Sequence, residues 1–243
     1  MENKTYSIIV QTLEEKLRTG ELTVGDRLPS ERALAEQFGI SRASVREGIR
    51  VLDAMGLVRS GVGSGPGAGA VVVSEPSAAL GWGLRMHLAS RFLPVHDVVT
   101  TREQLESQAA ADAAARWSGT SDKVVITRAT RCLEELDDPS IPDAQFHELD
   151  AQFHLLISSL SGNVVVTTIL DSLRQATVGY VQEAVPRLDD WSKVKAHLQD
   201  QHRGILAAVT DRAPELAAER VRAHIRWFYG VAYAENSSPV SFS

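Results

Sequence analysis

The sequence predicts a mainly α-helical protein, with an N-terminal winged helix-turn-helix domain followed by an all-helical bundle of six to seven helices. Two observations predict the first part: a pair of short helical segments joined by a glycine-containing turn, and two β-prone runs that flank a glycine-rich stretch at residues 60–69. A third observation predicts the second part, because apolar residues beyond residue 77 recur at helical spacing and no strand pattern competes.

Composition limits the class of protein. The chain has 243 residues, enough for one large or two ordinary domains, and its 44% hydrophobic content is normal for a packed globular protein. Cys132 is its only cysteine, so it cannot form an intrachain disulfide, and any metal site must use histidine and carboxylate ligands. No apolar run reaches the ~20 residues that span a bilayer. We therefore expect a cytoplasmic protein without a membrane partner.

Five elements are predicted in the first domain, residues 1–73, at about 4–18, 30–38, 41–54, 56–59 and 70–73. Ser30 and Ser41 are suited to cap the second and third helices, and Gly39 to end the second. The glycine-rich stretch between the two strands lacks the Lys-Ser/Thr ending of a phosphate-binding loop and follows no βαβ pattern. The remaining interpretations are the tip of a wing or a plain loop.

Bulk charge does not indicate a nucleic-acid partner. The net charge is −6, and residues 1–75 carry nine Lys plus Arg against ten Asp plus Glu. Local placement is more informative, because Arg42, Arg46 and Arg50 are four residues apart on the third helix and form one stripe. Such a stripe is compatible with a DNA contact and also with a solvated arginine face.

After a short linker, residues 74–77, the helical domain is expected to span residues 78–235 and to end in a frayed tail, residues 236–243. Breaks at proline, glycine and asparagine divide the domain. Helices are expected at about 77–90, 95–117, 121–137, 142–160, 163–184, 189–210 and 214–234.

A carboxylate and three histidines in this domain could share a metal ion. Asp150 and His154 are four residues apart and so project from one helix face. His202 and His224 lie almost equally far on either side of a helix break at residues 211–214, so two antiparallel helices would bring them level. The spacing leaves a rival pair, His147 with Asp150, and it leaves the alternative that these are ordinary polar residues.

The first domain resembles the DNA-binding domain of GntR-type bacterial transcription regulators. The resemblance rests on Tyr6, Gly20, Leu22, residues 25–32 (Gly-Asp-Arg-Leu-Pro-Ser-Glu-Arg), Leu34, Ala35, Phe38, Gly39, Ser41, Arg42, residues 45–47 and residues 56–58. It implies that Arg32, Arg42 and Arg46 contact a DNA operator and that Gly63, in the wing, enters the minor groove. We add Ser41 and Ser44, at the start of the recognition helix, to the DNA-binding set.

One residue departs from the family pattern. The family usually has alanine where this chain has Gly48, within the recognition helix. A glycine in a helix interior costs about 1 kcal/mol relative to alanine unless packing requires it.

The second domain resembles the all-helical, ligand-binding FCD domain of the FadR subfamily. The resemblance rests on residues 102–106, 150–154 and 161–163 together with His202 and His224. It implies a divalent metal held by Asp150, His154, His202 and His224, with a small organic acid beside it, and it makes His147 a bystander.

One carboxylate and three imidazoles suit zinc best, with nickel, cobalt or manganese as alternatives. Arg102, with Glu106, is a candidate for holding the acid's carboxylate. The competing interpretation of Arg102 is a simple i,i+4 pair with Glu106.

We therefore expect a transcription repressor that binds a near-palindromic double-stranded DNA operator as a homodimer and responds to a small organic acid. An alternative is a regulator that senses the metal ion itself. A metalloenzyme is not expected, because an enzyme has no use for the arginine-bearing recognition helix and no general base accompanies the ligand set.

Overall fold

The computed structural model describes residues 7–61, 69–119, 122–188 and 190–233. The chain separates into two compact units, Met1–Leu80 and Gly81–Ser243. The boundary falls within one helix, Pro76–Ala89. The predicted wing residue Gly63 and the predicted tail at residues 236–243 lie outside the described residues. The predicted domain limits remain predictions.

The first unit has three helices and a two-stranded sheet, as predicted. They are α1 (Ser7–Thr19), α2 (Glu31–Phe38), α3 (Arg42–Ala54), β1 (Val58–Ser60) and β2 (Ala70–Val72). The strands are antiparallel, with Val58 opposite Val72. Ser30 accepts a hydrogen bond from the backbone of Ala33, and Ser41 accepts one from the backbone of Ser44, so both predicted caps form.

The core of this unit explains Gly48. Its buried apolar side chains come from all five elements and include Ile9, Leu13, Leu34, Val45, Ile49, Leu52, Val58 and Val72. A Cβ atom on Gly48 would lie 3.1 Å from Ile9 Cδ1 and 3.3 Å from Ile9 Cβ, and Ile9 is fully buried. The glycine therefore lets α1 and α3 approach each other closely, which accounts for the departure from the family's alanine.

The second unit is all-helical within the described residues. Its helices are α4 (Pro76–Ala89), α5 (Val95–Arg116), α6 (Lys123–Leu136), α7 (Asp143–Ser159), α8 (Val164–Ala184), α9 (Trp191–Thr210) and α10 (Pro214–Tyr233), with a 3₁₀ turn at Val185–Arg187. The seven predicted helices are thus present, with small differences at their ends. Helix α4 begins at Pro76, inside the predicted linker, because proline suits the first turn of a helix. Helix α9 begins after Asp190, which accepts a hydrogen bond from Lys193 N.

Small residues on α5 allow this helix to pack closely against its neighbours. The face of α5 that carries Ala109, Ala110, Ala113 and Ala114 is buried, and α5 has its most extensive contact with α10. Close packing of these backbones leaves long side chains from α7, α9 and α10 to meet in the interior of the unit. Phe146 and Phe153 of α7, both fully buried, flank the region where they meet.

Candidate metal centre and nucleic-acid interface

The structure brings Asp150, His154, His202 and His224 together in the second unit. Asp150 and His154 come from α7, His202 from α9 and His224 from α10. One ligand atom from each residue lies within 4.8 Å of the others. The three histidines are buried, whereas the Asp150 side chain is 24% exposed. The carboxylate therefore forms the accessible side of the cluster.

Distances within the cluster suit a shared cation. His154 Nε2 lies 3.1 Å from His224 Nε2, and His202 Nε2 lies 3.0 Å from Asp150 Oδ1. Two imidazoles that each bind zinc at about 2.0–2.1 Å, with bond angles of about 90–110°, have their nitrogens about 2.9–3.4 Å apart. These two separations fall within this range, while His154 Nε2 lies 3.9 Å from Asp150 Oδ1, so the cluster needs a small contraction to coordinate one ion.

The outer ring nitrogens fix the tautomers of two histidines. His154 Nδ1 lies 3.2 Å from Glu106 Oε2, and His224 Nδ1 lies 2.9 Å from Gln201 Oε1. Carboxylate and amide oxygens only accept hydrogen bonds, so both Nδ1 atoms carry a proton. The two Nε2 atoms that face each other are then bare lone pairs, which is the state a metal ligand requires.

A proton shared between the two imidazoles is disfavoured. Burial and the nearby Arg174 guanidinium lower the pKa of His154 to about 4, against the opposing effect of Glu106. Burial, together with His202 and His154, holds the pKa of His224 well below its usual range. Since neither ring is protonated near neutral pH, a bound metal cation would relieve the repulsion between their lone pairs.

His202 gives an independent indication of a missing partner. Its side chain is fully buried. Its Nε2 lies 3.0 Å from Asp150 Oδ1 without hydrogen-bond geometry, and its Nδ1 has no hydrogen-bond partner among the described residues. Leaving a buried polar group unsatisfied costs about 1–3 kcal/mol. The donor set of three imidazoles and one carboxylate fits a borderline divalent cation, and binding it would satisfy His202 Nε2.

Glu106 and two arginines surround the cluster. The Glu106 side chain is only 2% exposed, and its carboxylate accepts hydrogen bonds from Arg102 Nε at 2.9 Å and Arg174 Nη2 at 2.6 Å. Burial opposes ionisation of Glu106, but Arg174, Arg102 and His154 outweigh it and hold the pKa of the carboxyl well below its usual range. The i,i+4 pair of Arg102 with Glu106 is therefore present, as a buried contact that orients His154.

Arg174 and Gln201 were missed by the sequence interpretation. Arg174 Nη1 also lies 3.8 Å from Asp150 Oδ2, so this buried arginine spans both carboxylates. Burial opposes the charge on Asp150, but His202, His154 and Arg174 hold its pKa well below the usual range. Gln201 donates from its amide nitrogen to His197 Nε2 at 3.0 Å while it accepts from His224. Neither residue belongs to a spacing pattern that could have revealed it.

A cavity of about 100 Å³ adjoins the cluster. Asp150, His224, Arg102 and Arg174 form its polar wall, and His147 lies at its edge. Most of the remaining lining is apolar: Val95, Val99, Phe146, Ala151, Val178, Val181, Leu198, Ile225 and Phe228. His147 is not among the four clustered groups, and its ring instead lies beside Trp191, with centroids 5.3 Å apart.

The candidate DNA-binding side chains lie on the first unit. Arg32, Arg42 and Arg46 are 78%, 63% and 52% exposed, so their guanidinium groups are accessible. Ser44 donates its backbone N–H to Ser41 Oγ at the start of α3, which is the end that a recognition helix presents to bases. Gly63, the glycine predicted to enter the minor groove, lies outside the described residues.

Family models match both parts of the chain. The model for bacterial regulatory proteins of the gntR family matches residues 5–66, and the FCD domain model matches residues 97–226. The Glc operon transcriptional activator of Escherichia coli (strain K12) is 31% identical over 225 residues, which cover 90% of this chain and 85% of that protein. The HTH-type transcriptional repressor NanR of Klebsiella aerogenes is 28% identical, over 92% of this chain and 83% of that protein.

A solved structure shows the same fold. The Streptococcus agalactiae GntR structure matches with a TM-score of 0.59 at 21% identity and covers 94% of this chain and 98% of that chain. None of the described helices is both long and apolar enough to cross a membrane. The winged helix-turn-helix, the helical FCD domain and the relatives all indicate a DNA-binding regulator and not an enzyme. The chain belongs to the GntR family of bacterial transcription regulators, in the FadR subfamily that carries an FCD domain.

Proposed function

We propose that the protein is a cytoplasmic repressor whose operator affinity is controlled by a small organic acid bound beside a divalent metal ion in the helical unit. The observation that carries this proposal is the group of four ligand residues next to an arginine-lined cavity. Zinc is the proposed ion, with nickel, cobalt or manganese as alternatives that the same donor set accepts. Asp150, His154, His202 and His224 would hold it, and the bound ion would supply open coordination positions for oxygen ligands.

Charge balance supports an anionic effector. Arg102 and Arg174 together cancel the charges of Glu106 and Asp150 when the histidines are neutral. A divalent cation then leaves the site with two uncompensated positive charges in a largely apolar surrounding, where burying net charge is costly. A small carboxylate that enters the cavity reduces that cost, and a cavity of about 100 Å³ admits only a small molecule.

Arg102 is the candidate for holding the acid, in a role shared with Glu106. Only Arg102 Nε is used in the hydrogen bond to Glu106, so the end of its guanidinium can still pair with a carboxylate. In this arrangement Glu106 orients both Arg102 and His154, and so links the effector position with the metal ligands.

On the DNA side, Arg32, Arg42 and Arg46, with Ser41, Ser44 and the wing residue Gly63, are proposed to contact a near-palindromic double-stranded operator. One recognition helix of 13 residues, α3, reads only a few base pairs. Two copies on paired half-sites supply the remaining affinity. GntR-family regulators typically dimerise, and we propose that this chain acts as a homodimer.

The outward face of α4 is a candidate surface for a second copy. Gly81 and Leu88 are buried on one side of α4, while Trp82 and Met86 are 61% and 53% exposed on the other. Phe92, just beyond the helix, is 77% exposed. These three side chains expose roughly 400 Å² per copy, so two copies would bury about 800 Å² of apolar surface, half of a standard interface.

A thermal-shift screen of small carboxylates on the metal-loaded protein would test the proposed effector site. The active acid should raise the melting temperature only when metal is present, because binding to the folded state alone stabilises it. The sign of regulation needs a transcription assay, since one relative named above is an activator and the other a repressor. If operator affinity followed metal concentration and ignored every acid, the alternative of a metal sensor would replace this proposal.

A further inference from the structure

An acidic residue lies among the candidate operator-reading arginines. Glu31 is the first residue of α2, and its carboxylate faces α3. Arg46 donates to it from one edge of the guanidinium, Nε to Oε1 at 3.4 Å and Nη2 to Oε2 at 3.1 Å. Arg42 Nη2 lies 3.9 Å from the same Oε2 atom. One carboxylate therefore holds Arg46 in a two-point pair and lies close to a second arginine.

This pairing restricts the conformation of Arg46. A free arginine side chain populates many rotamers, and the entropy lost on fixing it weakens any contact that it makes. A carboxylate that occupies Nε and Nη2 fixes the plane of the guanidinium and leaves its other edge available. An arginine reading guanine needs a defined plane, because it donates to two acceptors on the base edge at once.

The same carboxylate should reduce non-specific binding. Glu31 is only 33% exposed, yet it lies among side chains expected to meet a polyanion. A negative charge there repels phosphates equally at every DNA sequence. The residue would thus weaken binding to all DNA equally while strengthening the base contact that depends on an oriented arginine, and the second effect increases sequence preference.

We propose that Glu31 is a positioning residue that orients Arg46 for reading the operator and thereby sets the preference for operator over other DNA. This inference rests on the proposed contact of Arg46 with the operator. It assigns to Glu31 a role that acts through Arg46 and involves no base contact of its own.

The test compares Glu31→Gln with wild type in the full-length, metal-loaded protein. The probes are the duplex that the wild type selects from a randomised pool and a scrambled duplex of the same composition, each measured by fluorescence anisotropy at several salt concentrations. Glu47→Gln is the matched control, because it removes an equal charge from an exposed position on α3 next to Arg46. Circular dichroism at the assay temperature confirms that each variant is folded.

The expected result is a fall of about tenfold in the ratio of selected to scrambled affinity for Glu31→Gln, with scrambled binding unchanged or tighter. Glu47→Gln should shift both duplexes together and keep the ratio. An unchanged ratio in Glu31→Gln, or an equal loss on both duplexes, would overturn the inference, since either result is what a purely structural or purely repulsive carboxylate gives.

A second pair of variants distinguishes a failure of this inference from a failure of the proposed operator contact of Arg46. In an Arg46→Ala background, adding Glu31→Gln should change the ratio no further, because the side chain that Glu31 positions is gone. A further loss there would show that Glu31 reads a base itself and would overturn the positioning role. If Arg46→Ala alone left the ratio intact, the operator contact of Arg46 would be wrong.

Discussion

His154 and His224 face each other with their Nε2 atoms 3.1 Å apart, while the opposite nitrogen of each ring is engaged by an acceptor, Glu106 or Gln201. Two bare lone pairs at this distance repel each other. The geometry fits the proposed cation site, because the surrounding hydrogen bonds hold both rings in the tautomer that a metal ligand requires.

Chelation should lower the melting temperature of the helical unit. The four ligands come from three helices, so the free energy of metal binding adds to the stability of their packing. Free metal at about 1,000 times the dissociation constant adds about 4 kcal/mol to the free energy of unfolding. This corresponds to a shift in melting temperature of about 10 °C for a unit of this size. His202→Ala and His224→Ala should abolish the chelator-induced shift, whereas His147→Ala should retain it. Elemental analysis that finds no stoichiometric metal, and no uptake on titration, would exclude the site.

The chelator-treated protein should lose stability as the pH falls from 6.5 to about 4. The pKa of His154 is lowered to about 4 in the folded state, so in this range the unfolded chain binds the proton and the folded chain does not. The contribution of neutral His154 to the free energy of unfolding is fully present above pH 6.5. At pH 4 the stability lost through His154 is about 3 kcal/mol. Melting curves between pH 7 and 4 measure it, and His154→Gln should give a shallower dependence. A wild-type melting temperature that did not change from pH 7 to 5 would contradict the buried neutral state of this ring.

Arg174→Met should be strongly destabilising. This substitution removes the 2.6 Å hydrogen bond to Glu106 and leaves a carboxylate buried with less compensation. Breaking one side of a buried ion pair costs about 3–5 kcal/mol. Arg222→Met is the control, because Arg222 is 45% exposed and comes no closer than 3.7 Å to Glu103. This substitution should lower the free energy of unfolding by less than about 1 kcal/mol. Urea denaturation measures both, and equal values would show that Arg174 acts as a surface residue.

Trp82→Arg and Met86→Arg should each weaken the dimer. A charge on the face of α4 opposite Leu88 would meet its own copy across a two-fold axis. Val164→Arg serves as the control, because Val164 is 77% exposed on a different helix, α8. Sedimentation velocity over a range of concentrations distinguishes the species. Dimers of undiminished stability in both α4 variants would move the interface elsewhere.

The elements could be predicted from local periodicity, and the four clustered residues from spacing together with the family resemblance, which set His147 aside. Asp150 and His154 share a face at any helical geometry, and the helix break at residues 211–214 brings His202 level with His224. Arg174 could not be predicted, because a single arginine in a helix is usually solvated, and its burial depends on how α8 packs against α5 and α7.

Three further features could not be predicted from the sequence, because each depends on a tertiary contact. Gly48 lowers helix propensity, and its benefit becomes visible only when Ile9 is found against it. Gln201 is one position from a ligand, yet its role depends on the orientation of the His224 ring. The pairing of Glu31 with Arg46 joins residues 15 apart on two helices, and it requires the angle between α2 and α3 to be known.

Operator release by an acid at constant metal is the measurement that tests the central claim most directly. With the metal-loaded wild type bound to its selected duplex, titration of the acid found by thermal shift should release the DNA, with a loss of affinity of tenfold or more. Arg102→Ala should keep its metal and its DNA binding but lose the response, while Arg226→Ala, which removes an exposed pair with Glu103 on the same helix as Arg102, should respond as wild type does. Release that required only a change in metal concentration, or a normal response in Arg102→Ala, would contradict the account.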